Sequence, residues 1–153
     1  LSASDEDGGG MAGVELTTDP DGAYMIWVPS GGSRSPVSEE TSRRGEHFLR
    51  MEGRETYKFA TRTLASTALK AIENAGWTPD QVDLFIFTQL NLRTIEAVMD
   101  ILGQPMQKTH WVMDQWGYTG SACLGMAFDD AVCKGLIAPG DLVAFVGSGD
   151  VAV

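Results

Sequence analysis

In Phe87-Thr88-Gln89-Leu90-Asn91-Leu92-Arg93 an apolar strand runs out and a helix begins. The run before it, Val82-Asp83-Leu84-Phe85-Ile86-Phe87, is short, β-branched and aromatic, which is the pattern of a strand buried on both faces. After it, Leu92, Ile95, Met99 and Leu102 fall on one helical stripe, and Asn91 stands where a helix cap is expected. Ligands of open α/β sheets bind beyond the carboxyl ends of strands, near helix amino termini. The side chains of Thr88 and Asn91 are therefore placed where chemistry is expected.

The same alternation extends outward in both directions. Upstream, a helix is predicted from about Arg54 to Ala75, with Tyr57, Ala60, Leu64, Ala68, Ile72 and Ala75 as its buried stripe and Gly76 as its stop. His47–Met51 reads as a short strand before it. Downstream, Gly103-Gln104-Pro105 is a break and His110–Met113 a short strand. The turn Trp116-Gly117-Tyr118-Thr119-Gly120 opens a helix of small residues from Ser121 to about Lys134. Pro139-Gly140 turns the chain into a last buried strand, Leu142–Val146. The order is β-α-β-α-β-α-β, that of a layered α/β domain with a mixed sheet.

Nearer the amino end, Gly13–Thr17 alternates and Ala23–Val28 is strand-like. With the turn Asp19-Pro20-Asp21-Gly22 between them they read as a hairpin. Ser30–Glu46 is a polar loop longer than most connections, either functional or mobile. Residues 1–46 are thus expected to be a hairpin and loop leading into a domain over 47–153.

The chain has 153 residues, 43% hydrophobic and 21% charged, which suits one average domain or half of a larger one. No apolar run approaches the ~18 residues of a membrane span, and the first residues lack the basic and apolar regions of a signal peptide. A chain that begins without Met, and ends at Val153 with no closing element, reads as a piece of a longer protein. The net charge of −10 argues against nucleic acid as a partner, since such binding needs a basic footprint. An acidic partner could dock only on a local basic patch, for which Arg54, Lys58 and Arg93 are candidates. Cys123 and Cys133 fit neither a metal motif nor a disulfide framework, and are expected as reduced core cysteines of a cytoplasmic protein. No metal site is expected.

Five stretches, taken in order, resemble the C-terminal half of the ketoacyl-ACP synthase III family. They are Val28-Pro29-Ser30-Gly31-Gly32-Ser33-Arg34, Met51-Glu52-Gly53-Arg54-Glu55-Thr56-Tyr57-Lys58-Phe59, Gln89-Leu90-Asn91-Leu92-Arg93, Gly117-Tyr118-Thr119-Gly120-Ser121-Ala122 and Pro139-Gly140-Asp141-Leu142-Val143. The resemblance implies a thiolase-like layered fold. It also implies condensation of an acyl thioester with a malonyl-carrier protein, using a cysteine nucleophile plus a histidine and an asparagine that hold the enolate oxygen. That cysteine belongs to the N-terminal half, outside this chain; neither Cys123 nor Cys133 matches it, and neither His47 nor His110 matches the histidine.

By the same resemblance, Thr88 stands at the family's histidine and Tyr118 at its asparagine. A donor aimed at a developing oxyanion is worth ~10²–10³ in rate. A threonine hydroxyl is too short to reach where an imidazole nitrogen would lie, and a phenol fills space that a malonyl group needs. Neither side-chain type titrates near neutrality as imidazole does. Asp150 stands in the family's glycine-rich loop, as a new acid or base or as a solvated loop carboxylate. Asn91 and Gly53 match positions beside the pantetheine arm, and Arg93 and Lys58 match basic positions that dock acidic carrier protein; Asn91 also reads as a plain cap and Arg93 as a solvated cation. The expected function is acyl transfer from an acyl-CoA or acyl-carrier-protein thioester without ordinary decarboxylative condensation. CoA or phosphopantetheine enters as substrate, and there is no cofactor. The alternative is a catalytically inactive subunit supporting a partner. Both readings expect this chain to pack against its missing N-terminal half and the whole to form a homo- or heterodimer, with no membrane contact.

Overall fold

The computed structural model describes residues 9–149. They divide into two compact units, Thr18–Ala60 and a larger one formed by residues 9–17 with Thr61–Ser148.

In the smaller unit, Pro20–Gly22 is a 3₁₀ turn capped by Asp19, whose carboxylate accepts from the Asp21 amide at 3.0 Å. Strand β1 (Ile26–Trp27) follows, then helix α1 (Glu39–Arg43) and strand β2 (Arg50–Met51). β1 pairs antiparallel with β2, Ile26 opposite Met51 and Trp27 opposite Arg50. The stretch expected as one polar loop, Ser30–Glu46, thus contains a helix. Its start is set by Ser38 and Thr41, each of whose side chains satisfies the other's backbone amide. The strand expected over His47–Met51 shrinks to two residues, and Phe48 and Leu49 are exposed. Helix α2 (Gly53–Asn74) begins in this unit and ends in the other, close to the predicted bounds.

In the larger unit α2 is followed by β3 (Leu84–Phe87), α3 (Leu92–Leu102), the single turn α4 (Met113–Trp116), α5 (Cys123–Cys133) and β4 (Val143–Val146). β3 and β4 pair in parallel, from Leu84 opposite Val143 to Phe87 opposite Val146. All four β3 side chains are buried. Their alternation divides the core: Phe85 and Phe87 join the apolar stripes of α2 and α3, while Leu84 and Ile86 join Ala127 and Ala131 of α5. Each such large side chain is worth roughly 1.5–3 kcal/mol on burial. A strand with helices on both faces is the layered architecture that the sequence implies.

The expected amino-terminal hairpin does not form. Residues 13–17 contain no strand and lie along α2 instead. A Cβ on Gly13 would come within 2.7 Å of the Ala71 carbonyl oxygen, so this approach requires glycine. Asn74 Nδ2 donates to the Val14 carbonyl at 3.3 Å, and Lys70 Nζ lies 3.7 Å from a Glu15 carboxylate oxygen. The helix face takes the segment that local alternation assigned to a strand partner, and β1 pairs with β2.

The expected strand His110–Met113 is also absent. Thr109 makes one parallel bridge to Phe85, and the chain then turns into α4. The small-residue helix begins as a 3₁₀ turn, Gly120–Ala122, before α5. Cys123, Ala127 and Ala131 form its buried stripe, so Cys123 is a core residue as expected. Cys133 falls off that stripe and is exposed, which corrects its expected place in the core.

Candidate active site

The period of two that buries β3 carries on one residue past its end. Thr88 follows Leu84 and Ile86 onto the α5 side, and its amide extends the ladder by donating to the Val146 carbonyl at 2.9 Å. Thr88 is 5% exposed, so its hydroxyl must find partners within the protein.

Two are in place. Thr88 Oγ1 donates to Tyr118 Oη at 3.5 Å, the long limit of a hydrogen bond. On its other side Cys123 Sγ lies at 3.8 Å, and either atom can be the donor. Tyr118 reaches this point because α4 ends at Gly117, whose φ of 66° and ψ of −162° lie in a region that only glycine adopts without strain. Tyr118 is 48% exposed while Cys123 is 2% exposed, so the three groups form a row running inward from the surface. They are a phenol, an alcohol and a thiol: hydrogen-bond donors and acceptors, with no imidazole and no carboxylate in the row.

Sequence reasoning brought Thr88 and Tyr118 together and missed their third neighbour. Cys123 was legible only as a core residue, although the first position of a buried α5 stripe and the inward parity of Thr88 point at each other. The buried Gln89 side chain was also missed as an element of the site. Its Nε2 donates to the Phe87 carbonyl and its Oε1 accepts from the Val112 amide, both at 2.9 Å. The signal available was a carboxamide directly after an apolar strand.

Asn91 is the cap of α3, its Oδ1 accepting from the Thr94 amide at 2.9 Å and from Thr94 Oγ1 at 3.0 Å. Arg93 is exposed in the first turn of that helix. In the smaller unit, Gly53 opens α2 with free space where a Cβ would stand, Arg54 is exposed, and Lys58 pairs with Glu55 at 2.9 Å. Asp150 lies outside the described residues.

His110 stands apart from the row. Its Nε2 meets Asp130 Oδ2 at 2.6 Å, and Lys134 Nζ reaches the same oxygen at 2.7 Å. Hydrogen bonds from Lys134 and then His110 hold the Asp130 carboxyl below its usual range. The trio fastens the 109–112 segment to α5, a structural role for His110. Among the described residues, no group of three His, Cys, Asp or Glu side chains is placed to hold a metal ion, and no helix is long and apolar enough to cross a membrane.

Comparison with known proteins gives the family of the chain. A family model described as 3-oxoacyl-[acyl-carrier-protein (ACP)] synthase III C terminal matches residues 72–150, just over half of the chain. The chain is 38% identical over 144 residues to a beta-ketoacyl-[acyl-carrier-protein] synthase III from Caldanaerobacter subterraneus, covering 94% of this chain and 44% of that protein. It is 34% identical over 143 residues to the protein of the same description from Symbiobacterium thermophilum, covering 94% and 43%. The crystal structure of the Thermus thermophilus synthase III superposes with a TM-score of 0.79 at 33% identity, over 94% of this chain and 44% of that one. The chain thus spans less than half the length of the relatives it matches. With a thiolase-type layered fold and a family match across β3, α3, α5 and β4, the chain belongs to the 3-oxoacyl-ACP synthase III family, of which it carries the C-terminal portion.

Proposed function

We propose that the protein carrying this chain is an acyltransferase, moving an acyl group from an acyl-CoA or acyl-carrier-protein thioester without ordinary decarboxylative condensation. The observation that carries this reading is the meeting of Thr88 Oγ1 and Tyr118 Oη, 3.5 Å apart beyond the carboxyl end of β3. By family resemblance these positions hold an imidazole and a carboxamide that stabilise an enolate oxygen. An alcohol and a phenol differ from them in length and bulk, so their donors are differently placed, and decarboxylation depends most on such donors. Acylation does not pass through an enolate. A cysteine thiol contributed by the rest of the protein attacks the thioester carbonyl, the new S–acyl bond replaces the donor's, and the proton leaves with the departing thiol.

In this reading CoA or phosphopantetheine is substrate, and no cofactor takes part. By family resemblance Gly53 and Asn91 stand at positions beside the pantetheine arm, and Lys58 and Arg93 at basic positions that receive an acidic carrier protein. The protein is a cytoplasmic dimer. Incubating the full protein with acyl-CoA or acyl-carrier protein and reading its intact mass tests the proposal. The expected result is a gain of one acyl group; no adduct from either donor rules out transfer.

The second reading is a silent subunit that supports an active partner. The alcohol and phenol at Thr88 and Tyr118 fit it as well, because a subunit that leaves condensation to its partner has no need of the family's imidazole and carboxamide. A missing adduct together with co-purification of an active synthase is its expected outcome.

A further inference from the structure

Gln89 has no exposed surface, and its carboxamide is occupied at both ends. The two bonds join different parts of the site. The carbonyls of Phe85 and Phe87 point to the edge of β3 away from β4, since alternate residues of a strand share an edge. Along that edge Thr109 Oγ1 donates to the Phe85 carbonyl at 2.9 Å, and Gln89 Nε2 donates to the Phe87 carbonyl at 2.9 Å. Gln89 Oε1 then accepts the Val112 amide at 2.9 Å. A carboxamide carries the same donor and acceptor as a peptide group. Here it stands in for one, continuing the pairing of the 109–112 segment where the backbone bridge at Thr109 stops. Val112 is buried and immediately precedes α4, and α4 ends at Gly117, next to Tyr118.

We infer that Gln89 is a positioning residue: by fixing Val112 against the end of β3, it sets the separation of the Thr88 hydroxyl and the Tyr118 phenol. The arrangement of these two side chains stands or falls independently of the acyl-transfer reading above. Gln89→Met keeps length and removes both bonds. Gln89→Glu restores a donor and an acceptor only when its carboxyl is neutral, a state that burial favours.

The test uses the full protein with fluorotyrosine at Tyr118, read by fluorine resonance, together with amide exchange at Val112 and steady-state acyl transfer. In Gln89→Met the Val112 amide exchanges about tenfold faster, as loss of one hydrogen bond implies, while the Thr88 amide on the β4 side stays within about twofold. The Tyr118 resonance shifts, because the separation of its phenol from the Thr88 hydroxyl is no longer fixed. In Gln89→Glu the Tyr118 resonance returns toward the wild-type position at about pH 5 and departs from it at about pH 9. An unshifted Tyr118 resonance in Gln89→Met, with Val112 exchange accelerated, overturns the inference. Should Gln89→Met fail to fold, a Tyr118 resonance in Gln89→Glu that tracks wild type at both pH values overturns it equally. Absence of acyl transfer in the wild-type protein overturns the functional reading instead, and the resonance comparison still decides the role of Gln89.

Discussion

The Asn91 side chain is taken up by the helix that it starts. Its Oδ1 takes the Thr94 amide and hydroxyl, so the oxygen is committed to the start of α3. Asn91→Ala is expected to cost about 1 kcal/mol of stability in denaturant melts, the usual value of such a cap. Asn91→Asp keeps the acceptor, and is expected to hold stability within about 0.5 kcal/mol because aspartate caps as well as asparagine. The cap could be read from sequence because it depends on one residue and the periodic run after it. Cys123 could not be read as a neighbour of Thr88, because nothing local ties residues on two separate elements. Only the parity of β3 and the register of α5, taken together, bring sulfur and hydroxyl to 3.8 Å.

Among the elements, the ones that followed from sequence are those whose burial is decided by their own pattern. The apolar run of β3 and the stripe of α3 are buried whatever surrounds them, and both appear close to their expected bounds. The elements that did not follow depend on competition. Gly13–Thr17 alternates like a strand, but α2 offers it Asn74 and Lys70 as polar partners and room for a glycine approach. His110–Met113 looks extended, yet after Thr109 the Val112 amide bonds to a side chain rather than to a strand. That segment has a second anchor in His110, Asp130 and Lys134. The Asp130 carboxyl is held low mainly by its bond to Lys134 and then by His110. Its folded value therefore lies below its unfolded value of about 4, so the contribution is present above that pH and lost as pH falls through the lowered value. Asp130→Asn is expected to melt earlier than wild type at neutral pH. The two melting curves should converge on acidification below about pH 4, which a pH series of thermal melts measures.

For the whole molecule, the ordered set of short motifs fixed the family where composition alone allowed only an α/β domain. No single stretch was specific, but their order and spacing match a family whose model spans β3, α3, α5 and β4. The chain spans about 44% of the length of its relatives, and the proposed chemistry needs a thiol from the remainder. Acceptance of an acyl group alone does not separate a transferase from a condensing enzyme; decarboxylation does. The decisive quantity is labelled CO₂ released from carboxyl-labelled malonyl-carrier protein by the full protein in the presence of an acyl thioester. With an alcohol at Thr88 and a phenol at Tyr118, release should stay at the uncatalysed level, and the double variant Thr88→His with Tyr118→Asn should raise it by roughly 10²-fold or more as two oxyanion donors are restored. Robust CO₂ release by the wild-type protein, undiminished by Thr88→Val or Tyr118→Phe, would contradict the assignment of these two residues and the chemistry built on them.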